Sequence, residues 1–450
     1  LKKYSIWTEG CQMNVADSQR VGSALERLGY NFTGMLEDAD VIVLNTCVVR
    51  QSAEDKAYGR LSSLKPLKAK NPGLVINLMG CLVGIRDSEN LRKRFPYVDV
   101  FSPPSDPGPL VAFLTQDEAR AMELFETGNR FAVMDSDPAT LLPGRNFREG
   151  FILPEYEGGA LVSAFVPVVL GCSHACTFCI IPSRRGSERS RPAAEVITEV
   201  RSLVAQGVKE VTLLGQIVDR YGKDQPSGPN LAGLLRELHQ VEGLERIRFL
   251  TSHPNYFSED ILEAVAELPK VMPHIEIPIQ AANDEVLKNM RRGYTQAEYW
   301  DIVQKIREYL PGCSIATDVI VGFPGENESQ FLETFQLLED LRMDVAHLAR
   351  YSPRPGTVAE RRFPDDVPAE EKMRRFRLLE GLQEKIASEI NSRYLGNQVD
   401  VLFEEKVKGR WRGRTPTNKL VFVEAADDLR GKVVPVTVTW TGPWSMQAML

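Results

Sequence analysis

Three cysteines repeat one placement near the start of the chain. Cys11 follows the strand-like run KYSIWTE, Cys47 follows DVIVLNT and Cys81 follows GLVINLMG. Helical runs from about Asp17 to Leu28 and from about Ser52 to Lys70 lie between them, and a further strand-like run, VDVFSP, comes after. Strand–helix alternation of this kind implies an open parallel sheet. Parallel strands all end on one side of their sheet, which is where ligand sites form. The three cysteines should therefore converge at one edge, and the trio is a candidate for holding a metal cluster. Three buried cysteines at strand ends are the plain alternative. The recurrence of one placement three times weighs against it.

The chain has 450 residues, 43% hydrophobic and 26% charged. That is an ordinary globular composition, and the length suits about three domains. A formal net charge of −7 argues against a general nucleic-acid binder and leaves room for a local basic patch. Gly158 to Ser183 contains no Asp, Glu, Lys or Arg, but Pro167, Gly171, His174 and three cysteines interrupt it. Its apolar part, LVSAFVPVVL, has the length of a strand, so no membrane span is expected. The opening LKKYSIWTEGC shows no long apolar region and no small-residue cleavage site, so no secretory leader is expected. Seven cysteines in such a chain fit metal binding or catalysis better than a disulfide framework. A cytoplasmic protein is the expectation.

From about Pro103 to Gly159 the pattern loosens into turn-rich stretches, with some helix near Leu110 to Glu126. From Ala160 to about Arg393 the alternation returns. Strands are expected at Phe165–Leu170, Glu210–Leu214, Arg246–Thr251, His274–Ile279, Ser314–Val321 and Val345–Tyr351. Six βα units fall short of the eight of a full barrel, so a partial parallel barrel is expected, closed by a charged helix from about Ala369 to Arg393. The tail alternates as QVDVLFEEK, KLVFVEA and VVPVTVTW, a small all-β module, either barrel or sandwich. The fold class is α/β with an all-β tail. The expected domains are an open-sheet domain over 1–115, a linker over 116–157, a barrel core over 158–393 and the β module over 394–450.

The stretch GCSHACTFC, Gly171 to Cys179, follows the first barrel strand directly, at the mouth where barrel active sites sit. Its cysteines, Cys172, Cys176 and Cys179, have the spacing C-x3-C-x2-C. A tetrahedral zinc site or a cubane iron–sulfur cluster takes four ligands. Three thiolates hold three irons of a cubane and leave the fourth iron open, which is what catalysis needs. A zinc ribbon would need a second cysteine pair nearby, and none follows. His174 lies two residues from both Cys172 and Cys176, which makes ligation alongside them awkward.

C-x3-C-x2-C with Phe178 before its last cysteine resembles the signature of radical S-adenosylmethionine enzymes. The resemblance extends over nearly the whole chain. EGCQMNVADSQ, NTCVVRQSAEDKAYGRL and MGC look like the N-terminal domain of the methylthiotransferases within that group. GCSHACTFCIIPSRRGSERSR, LLGQIVDRYG, TSHP, RRGY, TDVIVGFPGE and YSPRPGT look like their catalytic domain, and the tail, with GRTPTN, resembles the RNA-binding TRAM module. The nearest resemblance is to the MiaB type, which acts on isopentenyladenosine beside the tRNA anticodon. The chain departs from that type at Ile217 and Asp219, where asparagines are usual, and at Ala281 and Ala282, where a Ser-Gly pair is common.

The resemblance implies two [4Fe-4S] clusters and S-adenosyl-L-methionine. Cys172, Cys176 and Cys179 would bind the cluster that cleaves the cofactor to a 5′-deoxyadenosyl radical. Cys11, Cys47 and Cys81 would bind an auxiliary cluster carrying the sulfur that is methylated and transferred. The implied partners are tRNA, through its anticodon stem-loop, and an electron donor such as flavodoxin or ferredoxin. No membrane is implied. Gln216, Gln280 and Asp318 are candidates for the cofactor's amine, carboxylate or ribose, although Asp318 could equally face solvent. Phe178 and Ile180 would flank the adenine or shield the cluster. SRRGSERSR holds Arg184, Arg185, Arg189 and Arg191 against Glu188, and is either a solvated face or an anion holder. KGRWRGRTPTNK sets Lys408, Arg410, Arg412, Arg414 and Lys419 around Trp411 with no acid, which suits an RNA backbone with stacking; an exposed hairpin is the alternative. Cys313 is read as structural, and His253 and His274 as satisfied barrel histidines.

Three rival readings remain at this point. The same chemistry could act on threonylcarbamoyladenosine or on an aspartate of a ribosomal protein. A non-catalytic RNA-binding protein with structural clusters, or an electron-transfer protein, would be expected to close its clusters with four thiolates.

Overall fold

The computed structural model describes residues 2–49, 51–85, 88–116 and 151–450. The chain divides into two compact units. One comprises Leu1–Ala160, Phe165–Ser173 and Ile180–Gln206; the other comprises Leu161–Ala164, His174–Cys179 and Gly207–Leu450. The units do not follow chain order, because the segment after the GCSHACTFC loop returns to the first of them.

In the first unit, β1 (Lys3–Thr8), β2 (Asn31–Phe32), β3 (Val41–Thr46), β4 (Val75–Gly80) and β5 (Val100–Ser102) form one sheet in the order β2-β1-β3-β4-β5. Every neighbouring pair is parallel. β3 is buried along its whole length, as a strand covered on both faces must be. Tyr4, Val21, Leu25, Val43 and Met79 share the core beneath it. The order reverses between β1 and β3, and open parallel sheets bind ligands beyond the carboxyl ends at such a reversal. β2 was not expected, because two residues cannot display alternation. The first helix runs Gln12–Arg27 and so begins a full turn before Asp17. Cys11 caps it, with Asn14 Oδ1 accepting from the Cys11 N–H (3.2 Å), and the polar Gln12 and Asn14 disguise that turn as loop. The helix expected near Leu110 to Glu126 spans Gly108–Thr115. Residues 117–150, and with them most of the expected linker over 116–157, lie outside the described residues.

β6 (Ser163–Pro167) passes from the second unit into the first, and β7 (Val169–Leu170) follows it. The single strand expected at Phe165–Leu170 is thus interrupted at Val168. β7 turns to pair antiparallel with β8 (Arg189–Ser190). Arg191 secures the turn, its N–H donating to Val168 O (2.9 Å) and its Nη1 to Pro167 O (2.8 Å). Between β7 and β8 lies the short helix Ile181–Arg185, and helix Ala193–Ala205 follows. Glu199 of that helix takes buried ion pairs from Arg20 (2.8 Å) and Arg191 (2.6 Å).

The second unit holds β9 (Glu210–Leu214), β10 (Arg246–Phe249), β11 (His274–Glu276), β12 (Ser314–Val321) and β13 (Val345–Arg350). β9 pairs parallel with β10, and β11, β12 and β13 form a second parallel sheet, the two linked by a bridge between Ile247 and Val271. This is the partial barrel read from the sequence. β10 and β11 end before Thr251 and Ile279. Thr251 (φ 68°) and Gln280 (φ 76°) adopt left-handed backbone, and Pro278 has no N–H to donate. Helix Ala369–Ser392 packs on β13.

β14 (Gln398–Val407), β15 (Arg410–Arg414), β16 (Leu420–Val423), β17 (Val433–Thr441) and β18 (Met446–Met449) close into a barrel in the order β14-β15-β16-β18-β17. Closure decides between the barrel and the sandwich. Val401, Phe403, Trp411, Val421 and Val436 fill it. The loop 415–419 leaves this module and meets the amino-terminal ends of the larger barrel's strands. Arg248 donates to Thr415 O (2.8 Å) and Pro416 O (2.9 Å), and Lys419 pairs with Asp344 (2.6 Å). Among the described residues no helix is long and apolar enough to cross a membrane.

Candidate functional site

β1, β3 and β4 are sheet neighbours, and Cys11, Cys47 and Cys81 stand just past their carboxyl ends. Cys47 and Cys81 are buried and Cys11 is exposed. Burial pushes the Cys47 thiol up to about 11, with Cys81 and Cys11 adding to the effect against the Val49 N–H. Burial also raises Cys81, against the pull of Arg185. Cys47 therefore feels both of the other sulfurs. Gly80, at φ 96°, turns the chain at the end of β4, where a Cβ would overlap Thr46 O. Beneath the trio, Asn14 Nδ2 donates to Asn45 Oδ1 (2.9 Å) and Thr46 O (3.2 Å), and Asn45 Nδ2 donates to Asn14 O (2.8 Å) and Ser18 Oγ (3.0 Å). This buried network ties the loops after β1 and β3 to each other. Arg185 Nε donates to Cys81 Sγ (3.2 Å).

The GCSHACTFC loop crosses from one unit to the other. Cys172 lies in the first, where its N–H donates to Gly186 O (3.0 Å). Cys176 and Cys179 lie in the second. There Thr177 anchors the loop, its N–H donating to Met290 O (3.0 Å) and its Oγ1 to Asn289 O (2.8 Å), while its own carbonyl accepts from the Ala359 N–H (2.8 Å). Arg292 Nη1 donates to Cys176 Sγ (3.2 Å), and the same guanidinium holds the Tyr294 hydroxyl (2.9 Å) and Pro278 O (3.2 Å). His174 Nε2 donates to Arg291 O (3.2 Å), which leaves Nδ1 to accept from the Tyr256 hydroxyl (3.2 Å). Both His174 nitrogens thus have protein partners.

Past β11, Gln280 is buried and joined to β12, its N–H donating to Asp318 O (2.8 Å) and its carbonyl accepting from the Ile320 N–H (2.9 Å). This brings Gln280 and Asp318 together. Gln216 is half-buried just past β9, Phe178 is half-buried and Ile180 is buried. Glu276 of β11 also faces Asp318: burial, and then the Asp318 charge, push its carboxyl up to about 7. Asp219 accepts from the His253 N–H (2.7 Å), and burial raises it to about 7. Burial, and then Arg292, drive His253 down to about 2. His274 belongs to the far end of the barrel, where it meets Ser314 Oγ (3.1 Å) and Asn418 Nδ2 (3.3 Å). Cys313, just before β12, is raised by burial to about 12.

The basic segments divide by burial. In SRRGSERSR, Arg185 and Arg191 are buried, Arg184 is half-buried and Arg189 is exposed, so the run is not simply a solvated face. Arg410, Arg412 and Arg414 alternate along β15 with Trp411, which enters the small barrel's core and donates from Nε1 to Asp427 O (2.9 Å). Arg410 lies over the Phe422 ring (5.4 Å), Arg412 pairs with Glu405 and Arg414 with Glu404 (3.7 Å). Lys419 is buried on Asp344 rather than displayed beside them. Sequence reasoning missed Arg292, Asn14, Asn45 and Glu276 as parts of the site. Arg292 stands in RRGY and Asn14 in EGCQMNVADSQ, but neither string says which side chain meets a sulfur.

Among the described residues no three Cys, His, Asp or Glu side chains close on one point as the ligands of a single ion would. A cubane asks for something different, since each thiolate takes its own iron. The donor sets suit such a group: soft thiols, with a buried guanidinium donating to one sulfur of each trio.

The model of the Radical SAM superfamily matches residues 166–338, that of the uncharacterized protein family UPF0004 matches residues 3–102 and that of the TRAM domain matches residues 392–449. A radical SAM protein uses S-adenosylmethionine and a [4Fe-4S] cluster. Among solved structures, the radical S-adenosylmethionine methyltransferase TsrM from Kitasatospora setae superposes with a TM-score of 0.54 at 15% identity, over 80% of this chain and 75% of that one. This likeness concerns the fold alone. A protein of Roseiflexus sp. (strain RS-1) named tRNA-2-methylthio-N(6)-dimethylallyladenosine synthase is 46% identical over 100% of this chain and 90% of its own length. One of the same name from Herpetosiphon aurantiacus is 46% identical over 98% of this chain and 96% of its own length. On these matches along its whole length, the chain belongs to the tRNA-2-methylthio-N(6)-dimethylallyladenosine synthase family of radical SAM methylthiotransferases.

Proposed function

We propose that the chain converts N(6)-dimethylallyladenosine beside the tRNA anticodon to its 2-methylthio derivative, using two [4Fe-4S] clusters. The observation that carries this reading is the pair of cysteine trios, one past the carboxyl ends of the parallel strands β1, β3 and β4 and one in the loop after β7, each one thiolate short of the four that close a cubane. An electron-transfer protein or a structural cluster has no use for two open positions. Cys172, Cys176 and Cys179 hold one cluster, and Cys11, Cys47 and Cys81 hold the auxiliary one. When bound, the first cluster with S-adenosylmethionine supplies a radical able to take hydrogen from an unactivated adenine C–H bond, and the auxiliary cluster supplies the sulfur.

The protein's own groups orient and shield these reagents. Gln216, Gln280 and Asp318 bind the amine, carboxylate or ribose of the cofactor, and Phe178 and Ile180 cover its adenine. Arg410, Arg412 and Arg414 meet RNA phosphates, within a domain plan of 1–115, 116–157, 158–393 and 394–450. An electron donor such as flavodoxin or ferredoxin would supply the electron this chemistry needs, in the cytoplasm.

Mass spectrometry of tRNA nucleosides from a strain lacking the gene tests the reading. The wild-type gene should restore the 2-methylthio nucleoside. The triple variant Cys11→Ala, Cys47→Ala, Cys81→Ala should leave N(6)-dimethylallyladenosine unconverted. A change confined to threonylcarbamoyladenosine, or to a ribosomal protein, would overturn the substrate assignment.

A further inference from the structure

We propose that Arg185 is a positioning residue of the auxiliary site, setting the charge at Cys81 and through it the reduction potential of the cluster held there. The inference rests on the two-cluster reading above. Arg185 ends the helix Ile181–Arg185, just past the radical-cluster cysteines in sequence, yet its side chain serves the other trio. Nε donates to Cys81 Sγ (3.2 Å), Nη1 to Ser105 Oγ (3.2 Å) and Nη2 to Asp17 Oδ2 (3.3 Å). The Arg185 side chain is 3% exposed and that of Asp17 is 0% exposed. A buried guanidinium needs both a counter-charge and hydrogen-bond acceptors, and here the acceptors are one sulfur, one hydroxyl and one carboxylate. The approach is close: a Cβ at Gly84, in the loop after Cys81, would lie 3.1 Å from Arg184 Cδ, and one at Gly186 would lie 2.9 Å from Ile85 Cδ1. The arginine-bearing segment is therefore packed onto the cysteine loop by backbone as well as by side chain.

Hydrogen bonds to cluster sulfurs and nearby charge set iron–sulfur potentials. When the cluster takes up one electron its charge becomes more negative, and a cation bonded to one of its sulfurs favours that reduced form. Losing the guanidinium must lower the potential. Asp17 opposes the guanidinium, so losing its carboxylate must raise the potential.

The test uses the full chain carrying Cys172→Ala, Cys176→Ala and Cys179→Ala, so that only the auxiliary site can load, reconstituted anaerobically with iron and sulfide. Iron per chain and the midpoint from an EPR-monitored redox titration are read together. Arg185→Gln should keep about four irons while its oxidised-to-reduced ratio at a fixed potential shifts about tenfold, which is about 59 mV downward for a one-electron couple. Arg185→Lys, which keeps the charge without the fork, should recover part of that shift. Asp17→Asn should move the midpoint upward, and it decides the matter if Arg185→Gln fails to load. A fully loaded Arg185→Gln with an unchanged midpoint, or an Asp17→Asn midpoint that does not rise, overturns the inference and leaves the two-cluster reading intact. Absence of iron from the parent triple variant would instead defeat that reading itself.

Discussion

A carboxyl group inside a barrel, facing a second carboxyl, holds its proton to a higher pH than one in water. Glu276 is such a group, raised from 4.5 to about 7 by burial and by Asp318. Its folded pKa lies above its unfolded one, so the folded state binds the proton more tightly. The stability tied to that proton is fully present below pH 4.5 and is lost as the pH rises through about 7. Glu276→Gln keeps a neutral group at every pH. In urea denaturation of the metal-free protein the variant should match wild type near the bottom of that window and exceed it by about 3 kcal/mol above it. A difference that stays constant with pH would show that water already reaches the carboxylate. At this scale the two cysteine trios could be picked out from spacing and strand position alone. Their partners could not. Arg185 and Cys81 are far apart in the chain, as are Arg292 and Cys176, and no periodicity of either segment links them. Burial likewise separates Lys419 from Arg410, although both stand in one basic string.

Elements were legible where hydrophobic runs are long and illegible where a single side chain sets the boundary. β3, β4, β9, β12 and β13 stand nearly where alternation and apolar runs put them. The ends of β10 and β11 depend on left-handed backbone at Thr251 and Gln280, residue types that do not announce it. Nor does the sequence disclose that the TPTNK loop serves as a plug. Arg246, His274 and Ser314 open β10, β11 and β12, and Asp344 precedes β13. Arg246 donates to Arg414 O (2.7 Å), Asn418 reaches His274 (3.3 Å) and Lys419 reaches Asp344 (2.6 Å). The tail thus closes the end of the barrel at which these strands begin. Breaking a buried pair from one side leaves an uncompensated charge, at about 3–5 kcal/mol, whereas an exposed pair contributes about 0–1 kcal/mol. Lys419→Ala should therefore lower the urea midpoint strongly and Arg412→Ala hardly at all. Equal, small effects would mean that the plug is dispensable.

The whole chain carries a formal charge of −7, so tRNA meets a net repulsion, and its phosphates need a local cationic face. Arg410, Arg412 and Arg414 share one face of β15, while Trp411 between them belongs to the core. The face is not bare charge, because Glu405 and Glu404 pair with Arg412 and Arg414. RNA phosphate must displace those carboxylates, so binding through this face should be modest and steeply salt-dependent. Each phosphate neutralised on a single strand contributes about −0.7 to the slope of log affinity against log salt. Replacing the three arginines with Ala should weaken tRNA binding at every salt concentration and flatten the slope by about 2. The side chains point away from the small barrel's core and the ion pairs are partly exposed, so the urea midpoint should move little. Cleavage of S-adenosylmethionine without RNA should be nearly unchanged, because the three arginine side chains find their partners within the tail, on Phe422, Glu405, Glu404 and Asn418. Filter-binding or fluorescence titrations between low and moderate salt read both quantities. An unaltered affinity with an unaltered slope would move the RNA contact off β15 and leave the small barrel with its plug as its principal role.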